Sequence, residues 1–184
     1  MANKRLLDRP HVQLLVVDMQ ERLLPVIAQH EAVLHANAVL LQVAARLGIP
    51  QCLTMQYPSK LGEVPESLQE YFRAPVVLSK MTFSAWREKT VEAHLKHSTR
   101  TQVLLTGVEA HVCVLQTALD LVEKGFQVFV PHDAVGSRDA ENKRWALERM
   151  QANGCQILST ESALFELLVE AGTDEFRDLR KLIL

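Results

Sequence analysis

The sequence has few cysteines and no long apolar segment. Three cysteines, Cys52, Cys113 and Cys155, are spread over 184 residues; this odd, sparse set argues against a disulfide framework and for a reducing compartment. No segment reaches the roughly eighteen consecutive apolar residues of a membrane-spanning helix. Residues 1–10 also lack the apolar core of a signal peptide. We therefore expect a cytoplasmic protein with no membrane partner.

Neither an excess of one charge nor a glycine-rich loop is present. Twenty Lys and Arg oppose 22 Asp and Glu, for a net charge of −2, and no segment concentrates basic residues as a nucleic-acid-binding surface does. Gly107 lacks the neighbouring glycines of a dinucleotide fingerprint, and the serine nucleophile elbow is absent. The sequence therefore gives no reason to expect a nucleic-acid partner or a cofactor.

The apolar residues predict an α/β fold. The chain is short enough for one domain over residues 1–184, and short segments rich in Val, Leu and Ile recur along it. Because these segments do not alternate with polar residues, they are typical of strands buried on both faces of a parallel sheet. The predicted strands are Val12–Val17, Gln51–Met55, Val76–Leu78, Gln102–Thr106, Gln127–Val130 and Gln156–Leu158.

Amphipathic segments between the strands predict helices on both faces of the sheet, because strict alternation of strand and helix implies right-handed βαβ units. The least regular segment, Gln56–Pro75, contains three prolines and one glycine; a loop of this length is often functional. The predicted helices are Glu31–Leu47, Glu88–His97, His111–Lys124, Asp139–Asn153 and Thr160–Ala171, with a last helix or tail at Asp174–Leu184.

Three reactive side chains follow predicted strands, at the edge where such sheets bind ligands. Asp18 follows the first strand, Lys80 the third, and Cys113 falls in the first turn of the helix after the fourth. The helix terminus and a nearby ammonium group favour a thiolate, and a nearby carboxylate can accept the thiol proton. The structural alternatives are a turn-capping Asp, a surface Lys and an inert buried Cys. Cys52 and Cys155 fit that last alternative well.

Four segments, in order, resemble the isochorismatase-like cysteine hydrolases. The segments are Leu14–Gln20 (LLVVDMQ), Ser79–Trp86 (SKMTFSAW), Thr106–Val114 (TGVEAHVCV) and Val130–Arg138 (VPHDAVGSR). The resemblance implies a three-layer α/β/α sandwich around a central, mostly parallel six-stranded sheet. Members of the family commonly form dimers or larger homo-oligomers, for which the apolar Leu179–Leu184 segment is a candidate interface.

The resemblance also implies a catalytic triad. Asp18 matches the residue that takes the thiol proton, Lys80 the residue that stabilises the charges, and Cys113 the nucleophile that forms a thioester. Backbone amides beside a cis peptide bond, which maps to Val108–Glu109, form the family's oxyanion hole. The further candidates for residues that line the substrate pocket are Gln20, Tyr57, Phe83 and Trp86. For Phe83 and Trp86, an ordinary position in the hydrophobic core is the alternative.

Two departures narrow the chemistry that the resemblance implies. Nicotinamidases carry an Asp-x-His metal cluster where this chain has Thr54–Pro58 (TMQYP), which contains neither residue. We therefore expect no catalytic metal and no activity on nicotinamide. True isochorismatases cleave a vinyl ether without a cysteine nucleophile, so Cys113 argues against that reaction. The sequence looks closest to a branch of the family whose substrate is unknown.

The histidines offer weaker candidates. His111 lies two residues before Cys113, but at that spacing the two side chains point apart, which favours a structural or rim role over a dyad. His94 and His97 are three residues apart on a charged helix, a pattern more typical of a solvated face than of a metal site.

The sequence thus predicts a metal-independent cysteine hydrolase that acts on a small amide or related carbonyl compound. The alternative from another class is a non-catalytic oligomeric or partner-binding protein that retains the fold. An isomerase or lyase that uses the same triad is a third hypothesis.

Overall fold

The computed structural model describes residues 5–183, which form a seven-stranded parallel sheet covered by helices on both faces. The strand order is β3-β2-β1-β4-β5-β7, and β6 pairs with β4 beyond the end of β5. Residues 1–4 and 184, which belong to the predicted domain, lie outside the described residues. The strands are β1 Val12–Val17, β2 Gln51–Gln56, β3 Val76–Lys80, β4 Gln102–Val108, β5 Gln127–Pro131, β6 Val135–Gly136 and β7 Gln156–Leu158.

The predicted fold class is confirmed, with one strand more than expected. The additional strand, β6, has only two residues, too few to show a periodic pattern in the sequence. It pairs with Gly107 and Val108, so it extends the sheet beside the carboxyl end of β4. Strands β2 and β3 continue to Gln56 and Lys80, beyond their predicted ends. Lys80 is therefore the last residue of a strand.

The helices follow the predicted order with three local differences. The helix predicted to begin at His111 opens with a turn of π-helix, Ala110–Val114. The helix that begins at Thr160 ends three residues early, because Val169 takes a φ of +65°. The irregular Gln56–Pro75 segment contains two single-turn helices. The helices are α1 His30–Leu47, α2 Pro58–Leu61, α3 Glu66–Gln69, α4 Lys89–His97, α5 Leu115–Glu123, α6 Ala140–Ala152, α7 Thr160–Leu168 and α8 Asp174–Leu179, after which Arg180–Leu182 form a 3-10 turn.

Alternate residues of the central strands pack into two separate cores. Leu14 and Val16 of β1 face a cluster that includes residues of α1, α7 and α8. Leu15 and Val17 face a second cluster with residues of α4, α5 and α6. Every residue of β1 and β4 is buried, which explains why neither strand alternates apolar with polar residues. Among residues 5–183, no helix has the length and apolar character needed to cross a bilayer.

The carboxyl ends of β1 and β4 lie unusually close together. Gly107 has a φ of +109°, and a Cβ atom there would lie 2.0 Å from the carbonyl oxygen of Val17. Only glycine fits such an approach of two backbones. The contact sets the distance between Asp18, which follows Val17, and the turn that carries Cys113.

We predict that Gly107→Ala lowers the free energy of unfolding by about 3 kcal/mol or more, because the new methyl group overlaps backbone that cannot move aside. Gly125→Ala is the matched control. Gly125 also has a positive φ, +87°, but nothing lies within 4 Å of its added Cβ. In that variant the free energy of unfolding falls by only about 1 kcal/mol, the cost of placing alanine at a positive φ. Urea unfolding of the two variants measures the difference; equal losses contradict the close contact.

Candidate active site

A buried ion pair lies at the carboxyl ends of β1 and β3. The Nζ atom of Lys80 lies 2.7 Å from Oδ2 of Asp18, and both side chains are 0% exposed to solvent. Asp18 leaves β1 with a φ of +54°, a conformation that Asp tolerates better than most residues. Removing two charges from water costs several kcal/mol, so such a pair persists only where other hydrogen bonds satisfy both groups.

Lys80 is satisfied by three oxygen atoms besides the carboxylate. Its Nζ donates to Oε1 of Gln56 at 2.6 Å, to the carbonyl of Thr82 at 3.0 Å and to that of Phe83 at 3.1 Å. An ammonium group has three protons, so these acceptors account for all of them. The approach of Nζ to Asp18 is too oblique for a hydrogen bond, and the contact is an ion pair only.

The two oxygen atoms of Asp18 have different surroundings. Oδ1 accepts a hydrogen bond from Oγ1 of Thr54 at 2.8 Å, and the backbone N–H of Asp18 donates to the Thr54 carbonyl at 3.1 Å. Oδ2 accepts no hydrogen bond of ordinary geometry from residues 5–183. Oδ2 is the oxygen that lies against the Lys80 ammonium group, at 2.7 Å.

The Cys113 thiol lies within hydrogen-bonding reach of both members of the ion pair. Burial raises its pKa to about 12, the Asp18 charge acts in the same direction, and the Lys80 charge opposes them. The Lys80 charge acts on the thiol pKa in the direction expected from the sequence, but burial and the Asp18 carboxylate raise the pKa above its ordinary value. Burial alone raises the pKa of Cys52 and Cys155 to about 12 as well. Position beside Asp18 and Lys80, rather than acidity, distinguishes Cys113.

The turn that carries Cys113 is tied to the rest of the site. The peptide bond between Val108 and Glu109 is cis, and Glu109 accepts hydrogen bonds from the backbone N–H and Nε of Arg138. Thr117 donates to the Cys113 carbonyl at 2.7 Å and accepts from the Ala85 N–H at 2.8 Å. The cysteine turn is thereby joined to the loop whose carbonyls hold Lys80.

Two backbone amides of this turn remain available. Ala110 and His111 begin the π-helical turn, and their N–H groups donate to no acceptor among residues 5–183. The first N–H groups of a helix have no partner within it. The imidazole Nδ1 of His111 lies 3.0 Å from Oγ of Ser137, which is consistent with the predicted structural or rim role.

The four residues expected around the pocket have different environments. Gln20 is buried, and its amide bonds only backbone groups of Gln56 and Gly62, so it supports the loop after β2. Tyr57 and Phe83 are 42% and 57% exposed and lie beside the two segments that contact Lys80.

Trp86 is nearly buried. Its ring packs edge-on against Phe126, with the ring centroids 5.6 Å apart, and lies beneath the ammonium group of Lys96. Phe126 immediately precedes β5, at the edge of the sheet opposite the ion pair. These contacts favour the core alternative for Trp86 over a place in the pocket wall, because its ring is directed toward the far edge of the sheet.

Sequence reasoning did not single out Thr54 and Gln56, which contact Asp18 and Lys80. It used the Thr54–Pro58 segment only as evidence that metal ligands are missing. The available signal was the two-residue spacing at the end of a buried strand, which places both side chains on one face of β2. Among residues 5–183, no group of three His, Cys, Asp or Glu side chains is arranged to hold a metal ion.

The fold and the site together indicate the class of this protein. Its parallel sheet carries a cysteine, a carboxylate and an ammonium group at the carboxyl edge. The chain belongs to the isochorismatase family: residues 12–162 match the Isochorismatase domain. It is 42% identical over 183 residues to a protein of Phytophthora sojae named secreted isochorismatase effector Isc1, covering 95% of this chain and 85% of that protein.

Two solved structures are similar over nearly the whole chain. The MAR1 ribonuclease of Caenorhabditis elegans superposes with a TM-score of 0.91 and 32% identity, covering 96% of this chain and 91% of the other. YcaC of Pseudomonas aeruginosa, solved with hexane-2,5-diol and covalent acrylamide, has a TM-score of 0.91 and 26% identity, covering 99% and 93%. The predicted family is thus confirmed, and the chain has the fold of the isochorismatase-family hydrolases.

We predict that Cys113 stays protonated in the native protein well above neutral pH. The fold raises the thiol pKa from about 9 to about 12, so the resulting stabilisation is complete below pH 9 and is lost as the pH rises toward 12. The thiolate absorbance, measured as the difference between the native protein and Cys113→Ala, reports the titration. A transition of Cys113 near or below pH 7 contradicts the description of the resting site.

Proposed function

We propose that this protein is a metal-independent cysteine hydrolase of a small amide or related carbonyl compound, acting through a thioester on Cys113. The observation that carries the proposal is the position of the buried thiol, which is within reach of both Asp18 and Lys80. A nucleophile next to a base that is itself held by a third group is the usual arrangement for covalent catalysis.

In the first step, Oδ2 of Asp18 takes the proton from Sγ as the sulfur attacks the carbonyl carbon. The carbonyl oxygen becomes an oxyanion, and the N–H groups of Ala110 and His111 are the donors we assign to it. Asp18 then gives its proton to the departing amine, which leaves a thioester on Cys113. Asp18 next takes a proton from water, whose oxygen attacks the thioester carbon. The C–S bond then breaks, and Asp18 returns its proton to the departing Sγ, which frees the acid and restores both the thiol and the carboxylate.

The raised pKa of Cys113 determines whether the base takes the thiol proton before the sulfur attacks or during the attack. Because the resting group is a thiol, proton transfer accompanies attack and does not precede it. General base catalysis of this kind contributes about 10²–10⁴ in rate. Lys80 contributes by its charge: its protons are held by Gln56, Thr82 and Phe83, so it stabilises negative charge near Sγ without being deprotonated.

Two relatives bear names that point to other substrates. The name of the ribonuclease structure suggests RNA as a substrate. This chain has a net charge of −2 and no basic segment, so we propose that its substrate is a small molecule. The name of the Phytophthora protein, which is 42% identical, suggests isochorismate as a substrate. Isochorismate hydrolysis is the second candidate, and its enol-ether chemistry does not require a thioester on Cys113.

We also propose that the protein is a cytoplasmic homo-oligomer. All three cysteines are free and buried, as a reducing compartment favours. Several large apolar side chains are exposed, among them Met81, Phe83, Trp145 and Val169, and a self-association surface requires such side chains.

We predict that Cys113→Ala and Cys113→Ser reduce turnover at least about 10³-fold, since each removes the nucleophile. The substrate panel contains simple amides, thioesters and esters, isochorismate, and a single-stranded RNA, and products are measured by mass spectrometry. Cys52→Ala is the matched control: Cys52 is also buried but lies within β2, away from the ion pair.

The panel also separates the candidate functions. Undiminished hydrolysis of an amide by Cys113→Ala contradicts the proposed mechanism. Turnover of isochorismate that survives in Cys113→Ala supports the second candidate. A chain that turns over nothing, and whose Cys113 reacts with iodoacetamide no faster than Cys52 or Cys155, is the non-catalytic protein of the alternative hypothesis.

A further inference from the structure

The contacts of Lys80 leave its carboxylate partner with an uncommitted oxygen. Gln56, Thr82 and Phe83 together accept all three ammonium protons. Oδ2 of Asp18 therefore receives the charge of Lys80 at 2.7 Å without receiving a proton from it. Of the three acceptors, only Gln56 contributes a side chain, so it is the one that the sequence can change.

Gln56 is held so that its oxygen faces Lys80. The two residues are register partners at the ends of β2 and β3. The Nε2 of Gln56 donates to the Met81 carbonyl at 3.0 Å, which directs Oε1 to the ammonium group. The backbone N–H of Gln56 donates to the buried Gln20 amide at 2.8 Å. These contacts fix both the position and the orientation of the amide.

Thr54 acts on the other oxygen of the carboxylate. It lies two residues before Gln56, on the same face of β2. Its hydroxyl donates to Oδ1 of Asp18 at 2.8 Å, and a hydrogen bond to a carboxylate stabilises its ionised form. Thr54 and Gln56 thus contact the two members of the ion pair, one residue each.

We infer that Thr54 and Gln56 are positioning residues that set how readily Oδ2 of Asp18 accepts the Cys113 proton. Gln56 draws a Lys80 proton away from Oδ2 and so keeps that oxygen basic, while Thr54 stabilises the carboxylate and so limits its basicity. The inference rests on the proposed function, in which Asp18 is the base.

The ionisable groups around Asp18 are few. Lys80 faces it from β3 and Cys113 from the π-helical turn. On the same turn, Glu109 is bonded to Arg138 and His111 to Ser137. Thr54, from β2, carries no charge. A change at residue 54 or 56 therefore acts on a single ion pair and a single thiol.

The two positions predict opposite effects. In Gln56→Met, the freed Lys80 proton turns to Oδ2, the carboxylate becomes a weaker base, and the thiol loses its proton less readily. In Thr54→Val, the carboxylate loses a donor and accepts a proton more readily. A side chain that only supports the fold changes reactivity in the same direction at both positions, because loosening the site exposes the thiol in each case.

Alkylation of Cys113 by iodoacetamide measures the effect without a known substrate. The S–H bond breaks as Oδ2 takes the proton, the sulfur bonds to the methylene carbon, and iodide leaves. Peptide mass spectrometry gives the rates for Cys113, and for Cys52 and Cys155 as internal controls, from pH 6 to pH 10. At pH 7 we expect Gln56→Met to be about tenfold slower than the native protein, the effect of one additional charge-assisted hydrogen bond from Lys80 to Oδ2. We expect Thr54→Val to be several-fold faster, and Thr54→Ser to return to the native rate.

Gln51→Met is the matched control for Gln56→Met. Gln51 is a buried glutamine at the other end of β2, bonded to the Leu41 carbonyl and the Arg73 N–H. Its replacement removes comparable hydrogen bonds far from the ion pair, so the Cys113 rate is expected to stay native. If Cys52 or Cys155 becomes reactive toward iodoacetamide in Gln56→Met, that variant has loosened the fold. The inference is then tested by Thr54→Val, which is expected to be faster than the native protein, and by Thr54→Ser, which is expected to match it.

The outcomes separate this inference from the proposed function. Opposite changes in Gln56→Met and Thr54→Val support the inference; equal or parallel changes overturn it. Asp18→Asn tests the base itself: a slower Cys113 reaction in that variant keeps the proposed function even where the inference has failed. An unchanged or faster rate in Asp18→Asn removes Asp18 as the base, and both fail.

Discussion

The site depends on an ion pair that is fully removed from water. Asp18 and Lys80 come from strands that are not neighbours in the sheet, because β2 lies between them. The cost of burying both charges is offset only because every proton of Lys80 and one oxygen of Asp18 have partners within the fold. Loss of one member leaves an uncompensated buried charge in the other. The pair is therefore a structural constraint on the carboxyl edge of the sheet, and in the proposed mechanism it also activates the thiol.

Several features of the fold serve to hold this pair beside a thiol. The approach of Gly107 to Val17 brings β4 against the end of β1, so the turn after β4 begins next to Asp18. Thr117 then joins the carbonyl of Cys113 to the N–H of Ala85, within the loop that holds Lys80. In this environment burial raises the pKa of the thiol to about 12, and in the proposed mechanism Asp18 accepts its proton.

Much of the architecture can be predicted from the sequence. The buried strands β1 and β4 are mostly apolar segments, so their position and the alternating α/β order follow from composition and periodicity. The short strand β6 cannot be found this way, since two residues carry no period. The π-helical turn is also missed, because it differs from an ordinary helix start by one hydrogen-bond offset that side-chain patterns do not encode.

The site was predicted less completely. Asp18, Lys80 and Cys113 can be identified because each ends or follows a short strand rich in apolar residues, but their effect on one another depends on distances that the sequence does not contain. The pKa of the thiol illustrates the difficulty: the ammonium group that lowers it could be expected from the sequence, whereas the extent of the burial that raises it could not. Trp86 was assigned to the pocket from its proximity to Lys80 in the chain, although its ring is directed to the opposite edge of the sheet.

The central claim is that the carbonyl carbon of the substrate becomes bonded to Cys113 during turnover. Acid-quenched turnover of a hydrolysed amide, followed by peptide mapping, tests this directly, with hydroxylamine added in a parallel reaction to intercept the acyl group. The account predicts an added acyl mass on the Cys113 peptide and a hydroxamate product in the parallel reaction, both lost in Cys113→Ser. Rapid hydrolysis with neither an adduct nor a hydroxamate, or an acyl group on a different residue, would contradict it.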